Sequence, residues 1–319
     1  MQEETSISIA DEPRKLMPAI SRMALAMGIF DGVHLGHQAI IANLRRLAAE
    51  TDATPVALFF SPHPREVLGH EPPKILTTQN CKARLLLEAG AERLVCVHFT
   101  KELAALQPEE FLEHFFAVEG MTVTGFCVGS NWRFGRCNSG DTTALTAWAE
   151  SHGMRCVTVP QVCHDGSPIS STRIRNAVEA GDLSEAERML GRKFSVSGVI
   201  KHGNGIAGHA LDCPTANISD ANHALPPYGV YAARAFWNGK GADGIVYVGE
   251  APTIRNDNVP LVEMHLFDTH EDLYGCEMTV EFHAFLRKSI KFESVSALEE
   301  QIRRDIEDAH RHLAASSAK

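Results

Sequence analysis

Nowhere in the 319-residue chain do two cysteines form a Cys-x-x-Cys pair, although eight are spread along it. That spacing speaks against a structural zinc site or a disulfide framework, and the thiols read as reduced and mostly buried. No run approaches the ~20 consecutive apolar residues of a membrane-spanning helix. The opening MQEETSISIADEPRK is acidic at its start and lacks the apolar core of a secretion signal. Positive charge is in deficit, with 30 Lys and Arg against 40 Asp and Glu for a net −10, a sign that repels a phosphate backbone. The expectation is a cytoplasmic protein with neither nucleic acid nor membrane as partner. Internal repeats are lacking too, and low complexity is confined to a short Ala/Ser tail.

What is present is an ordinary globular composition, 44% hydrophobic and 22% charged, at a length that favours two domains. From residue 22 to about 153, strand-length apolar runs (23–29, 55–60, 94–97, 123–128) alternate with segments of helical period (36–50, 79–89, 108–116, 142–151). That is the pattern of a parallel sheet covered by helices, which binds ligands beyond the carboxyl ends of its strands. Two more helices are predicted at 171–180 and 183–190, the first stopped by Gly181 and the second capped by Asp182. Past Phe194 the texture becomes short alternating stretches (194–201, 229–237, 244–249, 261–268, 277–286) punctuated by Gly, Pro, Asn and Asp, which predicts a small antiparallel barrel or sandwich. A last helix over 297–313 reads as opened by a capping box of Ser296 and Glu299. The predicted organisation is an N-terminal extension (1–21), an α/β domain (22–190) and a β domain with a C-terminal helix (191–319).

The string Gly28-Ile29-Phe30-Asp31-Gly32-Val33-His34-Leu35-Gly36-His37 lies where a strand runs into a helix. Its glycines allow a close turn, and the helix start offers free N–H groups and a positive dipole end, a natural seat for phosphate. His34 and His37, three apart, can project toward one anion. Ser170-Ser171-Thr172-Arg173-Ile174-Arg175 opens a later helix and combines short hydroxyl donors with long cations. Phe60-Ser61-Pro62-His63-Pro64 and Val128-Gly129-Ser130-Asn131-Trp132-Arg133-Phe134-Gly135 each follow a predicted strand. An indole suits stacking on a flat ring and an amide suits reading an edge, although Trp132 and Phe134 fit core packing equally well.

Together these strings resemble the FMN adenylyltransferase module of bacterial bifunctional riboflavin kinase/FAD synthetases, within the nucleotidyltransferase superfamily that carries a His-x-Gly-His signature. The resemblance implies a Rossmann-like nucleotidyltransferase domain followed by a small antiparallel β-barrel with a C-terminal helix. It implies that His34 and His37 are catalytic. Gly28, Phe30, Asp31, Gly36, Ser170, Ser171, Thr172 and Arg173 would bind nucleotide phosphate, and His63, Asn131, Trp132 and Phe134 would bind flavin. Trp132 stands where the family usually has Phe, which preserves stacking.

In the C-terminal half, Gly203-Asn204-Gly205-Ile206-Ala207-Gly208 spells a dinucleotide-type loop, but no long helix follows and Pro214 comes soon after. With Pro214-Thr215-Ala216-Asn217 it resembles the riboflavin kinase module. That likeness implies that Gly203, Gly205 and Gly208 cover ATP phosphates and that Thr215 and Asn217 hold Mg²⁺, a cation that prefers hard oxygen ligands. Glu263 falls on the strand face opposite Val262, Met264 and Leu266, and by resemblance is the general base on the ribityl 5′-hydroxyl. The chain departs from the family at Asp212, Cys213 and Ala251, and Asp212 would oppose a phosphate, so weaker riboflavin phosphorylation is expected than FAD formation. The resemblance implies ATP as co-substrate and riboflavin, FMN and FAD as flavin substrates and products. Two other readings stay open on sequence alone: an FAD synthetase with a degenerate barrel, and a non-catalytic flavin or nucleotide sensor.

Overall fold

The computed structural model describes residues 20, 22–117, 120–201, 215–218, 222–250, 260–269 and 271–317. The chain divides into two compact units, Met1–Pro73 with Gln79–Ser170, and Lys74–Thr78 with Ser171–Lys319.

In the first unit the elements are β1 (Arg22–Met27), α1 (Leu35–Glu50), β2 (Thr54–Ser61), α2 (Pro64–Val67), α3 (Gln79–Glu88), β3 (Arg93–His98), α4 (Lys101–Ala105), α5 (Pro108–Phe116), β4 (Thr122–Gly129), α6 (Thr142–Ser151), β5 (Arg155–Val159) and a short hairpin, β6 (Cys163–His164) and β7 (Ser167–Pro168). Five strands form one parallel sheet in the order β3-β2-β1-β4-β5. Both faces of β1 are buried, as a parallel strand between helical layers requires. Met23, Leu25 and Met27 pack with Phe111, Phe115 and Trp148 of α5 and α6. Ala24 and Ala26 point the other way, where their small side chains admit Ile41 and Leu44 of α1. The chain leaves β1 toward β2 on one side and returns to β4 on the other, so the carboxyl ends of β1 and β4 flank the switch point where such sheets bind ligands.

Strand β5 went unforeseen. Its burial is only partial, with Arg155 and Thr158 exposed, so an edge strand of five residues shows no continuous apolar run. Among the described residues the thiols are free but less fully buried than the expected mostly buried set: Cys81, Cys96 and Cys127 are buried, Cys156 and Cys276 half-buried, and Cys137 and Cys163 exposed. Burial pushes the Cys127 thiol up to about 12, so it stays protonated.

The second unit opens with α7 (Ser171–Glu179) and α8 (Leu183–Leu190). Gly181 has φ +82°, the Asp182 carboxylate accepts the Glu185 N–H at 2.9 Å, and Gly191 closes α8 in the left-handed conformation. Then come β8 (Ser195–Lys201), β9 (Thr215–Ile218), β10 (Gly229–Trp237), β11 (Lys240–Glu250), β12 (Pro260–Leu266), β13 (Glu277–Lys288) and α9 (Val295–Ser317). The six strands close into a barrel in the order β10-β11-β12-β9-β8-β13. Alternation fills its inside with Val246, Met264, Ala216 and Tyr231, while α9 covers part of the outside through Ile302, Ala309 and Leu313 against Val230, Ala232 and Ile245.

The cap of α9 is Ser294, whose hydroxyl accepts the Ala297 N–H at 3.2 Å, so the capping box expected at Ser296 does not form. The helix starts two residues earlier than expected, at Val295, because Ser294 rather than Ser296 caps its free amides. A buried ion pair then fixes α9 to the barrel: the Arg287 guanidinium donates to both oxygens of Asp305 at 2.7 to 2.9 Å, and the Gln301 amide donates to Asp305 at 2.9 Å. Asp305→Ala leaves that guanidinium unpaired, and urea unfolding of the variant is expected to show a loss of about 3 kcal/mol. A loss below ~1 kcal/mol would mean that water already compensates Arg287.

Candidate active sites

The residues following β1 leave the usual backbone regions. Phe30 has φ 53°, Gly32 81° and Val33 37°. For β-branched Val33 this is a true outlier, and backbone strain of that kind concentrates where geometry serves a function. The turn is clamped by the Val33 N–H donating to the Phe30 carbonyl at 3.2 Å and by the Gln38 amide donating to the Val33 carbonyl at 3.0 Å. Its effect is to set His34 at the N-cap of α1. There Nδ1 of His34 accepts the His37 N–H at 3.3 Å. A neutral ring that accepts at Nδ1 carries its proton on Nε2.

The two imidazoles stack, with centroids 3.6 Å apart and planes at 17°. Phe30, fully buried, braces His37 edge-on at 5.3 Å. Two glycines make room for this. A Cβ on Gly36 would meet the His34 ring at 3.0 Å, and one on Gly28 would meet the Phe30 ring at 3.1 Å. Stacked rings over the first turn of α1, at the switch point of the sheet, present N–H groups beside the positive end of the helix. Buried Asp31 faces Lys82 of α3, whose ammonium burial pushes down despite that carboxylate, and which lies 5.2 Å over the Phe59 ring. Sequence reasoning passed over Lys82; a lysine on an otherwise core-facing stretch of helix was the available signal.

Beyond β2, His63 caps α2 by accepting the Arg65 N–H at 3.2 Å. Beyond β4, Asn131 is exposed and Trp132 half-buried, stacked on Phe134 with centroids 4.5 Å apart at 17°. Phe134 itself belongs to the core and pairs its backbone with Gly140 in both directions. Its ring therefore backs Trp132. Asp141, also missed, holds this loop: its carboxylate accepts the Thr143 and Ala144 N–H groups at 3.0 Å while Arg133 pairs with it at 3.1 Å. An aspartate just before a helical run was the legible signal.

The Ala144 amide, helped by Arg133 and the Thr143 amide, holds the Asp141 carboxyl below the usual carboxylate range. A depressed value stabilises the fold above the unfolded pKa, and that contribution fades as pH falls through the lower folded one. Asp141→Ala is expected to lower the melting temperature at pH 7 and to narrow its gap from the parent as pH drops through the acid range. A gap independent of pH would sink this account.

In the second unit Ser171 opens α7, with Ser170 just before it and Thr172 exposed. Arg173 does not stand free: it pairs with Glu185 at 2.5 Å, and Glu185 also receives Arg188 at 3.0 Å. Arg175 donates to the Lys74 carbonyl at 2.6 Å.

On the barrel, Glu263 lies directly opposite Asn217 across the β12–β9 ladder and opposite Tyr247 across β11–β12. All three point outward, away from Val262, Met264, Ala216 and Val246. One step along, His265 faces Thr215. His265 is buried, and burial pushes its imidazole pKa down. Gly203, Gly205, Gly208, Asp212, Cys213 and Ala251 lie outside the described residues, as does the side chain of Thr215.

A doubly wound sheet with paired imidazoles at its switch point, joined to a barrel bearing a carboxylate and an amide side by side, defines a two-unit transferase of nucleotide type. Residues 17–173 match the FAD synthetase family and residues 190–313 the riboflavin kinase family. Bifunctional riboflavin kinase/FMN adenylyltransferases are similar over nearly the whole length. That of Pseudomonas fluorescens is 36% identical over 306 residues, covering 95% of this chain and 96% of the relative. That of Bacillus subtilis (strain 168) is 32% identical over 299 residues, covering 92% and 93%. A crystal structure described as a macrolide-efflux protein from Streptococcus pneumoniae superposes with a TM-score of 0.78 at 26% identity, covering 95% of this chain and 98% of that one. Among the described residues no helix is long and apolar enough to cross a membrane. The chain belongs to the bifunctional riboflavin kinase/FMN adenylyltransferase family.

Proposed function

We propose that the parallel-sheet unit adenylylates FMN and that the barrel phosphorylates riboflavin. In the first reaction an FMN phosphate oxygen attacks the α-phosphorus of ATP, forming the new P–O bond as pyrophosphate leaves. Charge gathers on the phosphoryl oxygens, and donors fixed beforehand around them lower the barrier. The observation that carries this assignment is the 3.6 Å stack of His34 on His37 over the first turn of α1. The neutral His34 ring, protonated on Nε2 by the geometry at Nδ1, can donate without bringing a buried charge. Gly28 and Gly36 admit the rings, and Asp31, Ser170, Ser171, Thr172 and Arg173 serve nucleotide phosphates by family likeness. For Arg173 the arriving phosphate competes with the Glu185 carboxylate. His63, Asn131 and Trp132 follow strands that end at the ligand-binding edge of the sheet and serve the flavin. Phe134 supports Trp132 from behind.

In the second reaction Glu263 takes the proton of the ribityl 5′-hydroxyl, whose oxygen attacks the γ-phosphorus of ATP as ADP departs. The Asn217 amide oxygen beside it is a hard donor suited to Mg²⁺, with Thr215 the second ligand by family likeness. When bound, Mg²⁺ supplies positive charge to the phosphate chain. Gly203, Gly205 and Gly208 cover the phosphates by the same likeness.

Chromatography of flavins after incubation with ATP and Mg²⁺ tests both assignments. Riboflavin should give FMN and then FAD, and FMN alone should give FAD. FAD from FMN without any FMN from riboflavin would reduce the barrel to a non-catalytic module, and neither product would remove both activities.

A further inference from the structure

One buried group on the barrel has no role in either reaction as written. His265 is 9% exposed, and its Nδ1 is sealed from solvent with no hydrogen-bond partner among the described residues. Its nearest ring contact is the edge of Phe267, centroids 6.2 Å apart. A histidine kept only for packing would be expected to satisfy its nitrogens, because burying a polar atom unpaired destabilises a fold. A phenylalanine would fill the same space without that cost.

The ladder explains what else the ring can do. Glu263 opposes Asn217, and His265 opposes Thr215, so by backbone register these four residues form a square of the β12–β9 ladder, with Glu263 and His265 on one face of β12. Within that square Glu263 addresses the flavin hydroxyl. Thr215 and Asn217 are the residues assigned to Mg²⁺, the cation that accompanies the phosphate chain, and His265 opposes Thr215 in the register, so the His265 end of the square is assigned to the phosphates.

We infer that His265 is a nucleotide-binding residue of the kinase site, its imidazole donating a hydrogen bond to the phosphate chain of ATP. The inference rests on the assignment of riboflavin phosphorylation to this face. Nδ1, which has no hydrogen-bond partner among the described residues, would gain one from the bound triphosphate.

The full-length protein supplies its own control, since FMN adenylylation uses the same ATP elsewhere in the chain. His265→Phe is expected to raise the ATP KM of riboflavin phosphorylation about tenfold or more, to leave the ATP KM of FMN adenylylation within about twofold, and to keep or raise the melting temperature. His265→Asn places an amide near the position of Nδ1 and should recover most of the loss; His265→Gln should recover less. An unchanged ATP KM for riboflavin in His265→Phe overturns the inference. So does a fall in melting temperature that carries both reactions down together, which would make the ring a packing element. Glu263→Gln run in parallel separates the two levels: if it still phosphorylates riboflavin, the placement of the kinase site fails, whereas its loss alongside a normal His265→Phe condemns this inference alone.

Discussion

His37→Ala loses FAD formation by a factor on the order of 10²–10⁴ in kcat while riboflavin phosphorylation continues at its parent rate. The size follows from what the ring does in the fold and from the role proposed for it at the phosphate. His37 stacks on His34 at 3.6 Å, is braced by Phe30, and sends its own backbone N–H to Nδ1 of its partner. Alanine keeps that backbone bond, because the donor is main chain, so α1 should start where it does now. The loss would fall on the donor offered to the developing charge and on the orientation of the His34 ring, which would have one face uncovered. If, as proposed, the interaction is stronger with the transition state than with bound ATP, kcat should fall more than KM rises. The measurement is paired: FAD from FMN, and FMN from riboflavin, on one preparation. Equal losses in both reactions would show that the division between the units is wrong, and a loss below tenfold would remove His37 from the chemistry.

Much of this arrangement is legible in the sequence because the termini of the elements are marked locally. The bounds of α5 and α8 match the expectation at both ends. Pro108 fits the first helical position of α5, where the Glu110 carboxylate also accepts the Gln107 N–H at 2.8 Å, and Asp182 and Gly191 bracket α8. What escaped depends on partners distant in sequence. Strand β5 is held by β4 at the sheet edge, and four-residue β9 is held by β12 and β8, so neither needs a hydrophobic run of its own. The site divides in the same way. A spacing of three places His34 and His37 on one side of a helix, but nothing in that spacing tells that Val33 adopts φ 37° and turns His34 into the cap. Asn217 and Glu263 stand 46 positions apart in the sequence, and only the ladder makes them neighbours. Lys82 and Asp141 carry no motif; they became visible through Asp31 and Arg133, the groups they meet.

The ladder also makes the second large prediction sharp. Glu263→Gln preserves shape and hydrogen-bonding reach in a strand paired on both sides, so the barrel should fold unchanged. Only the proposed proton acceptor is lost. Riboflavin phosphorylation is expected to fall by about 10²–10⁴-fold in kcat with little change in the KM for riboflavin, while FAD formation from FMN stays at the parent rate. Asn217→Ala, its cross-strand neighbour, should damage the same reaction through a different term. Losing an oxygen that suits Mg²⁺ raises the metal concentration needed for half-maximal rate, which excess Mg²⁺ then partly restores. No such rescue is expected for Glu263→Gln, because metal cannot replace a base. If excess Mg²⁺ restored both variants alike, Glu263 would be a ligand and the base would have to be sought elsewhere on the outward face of β11, β12 and β9.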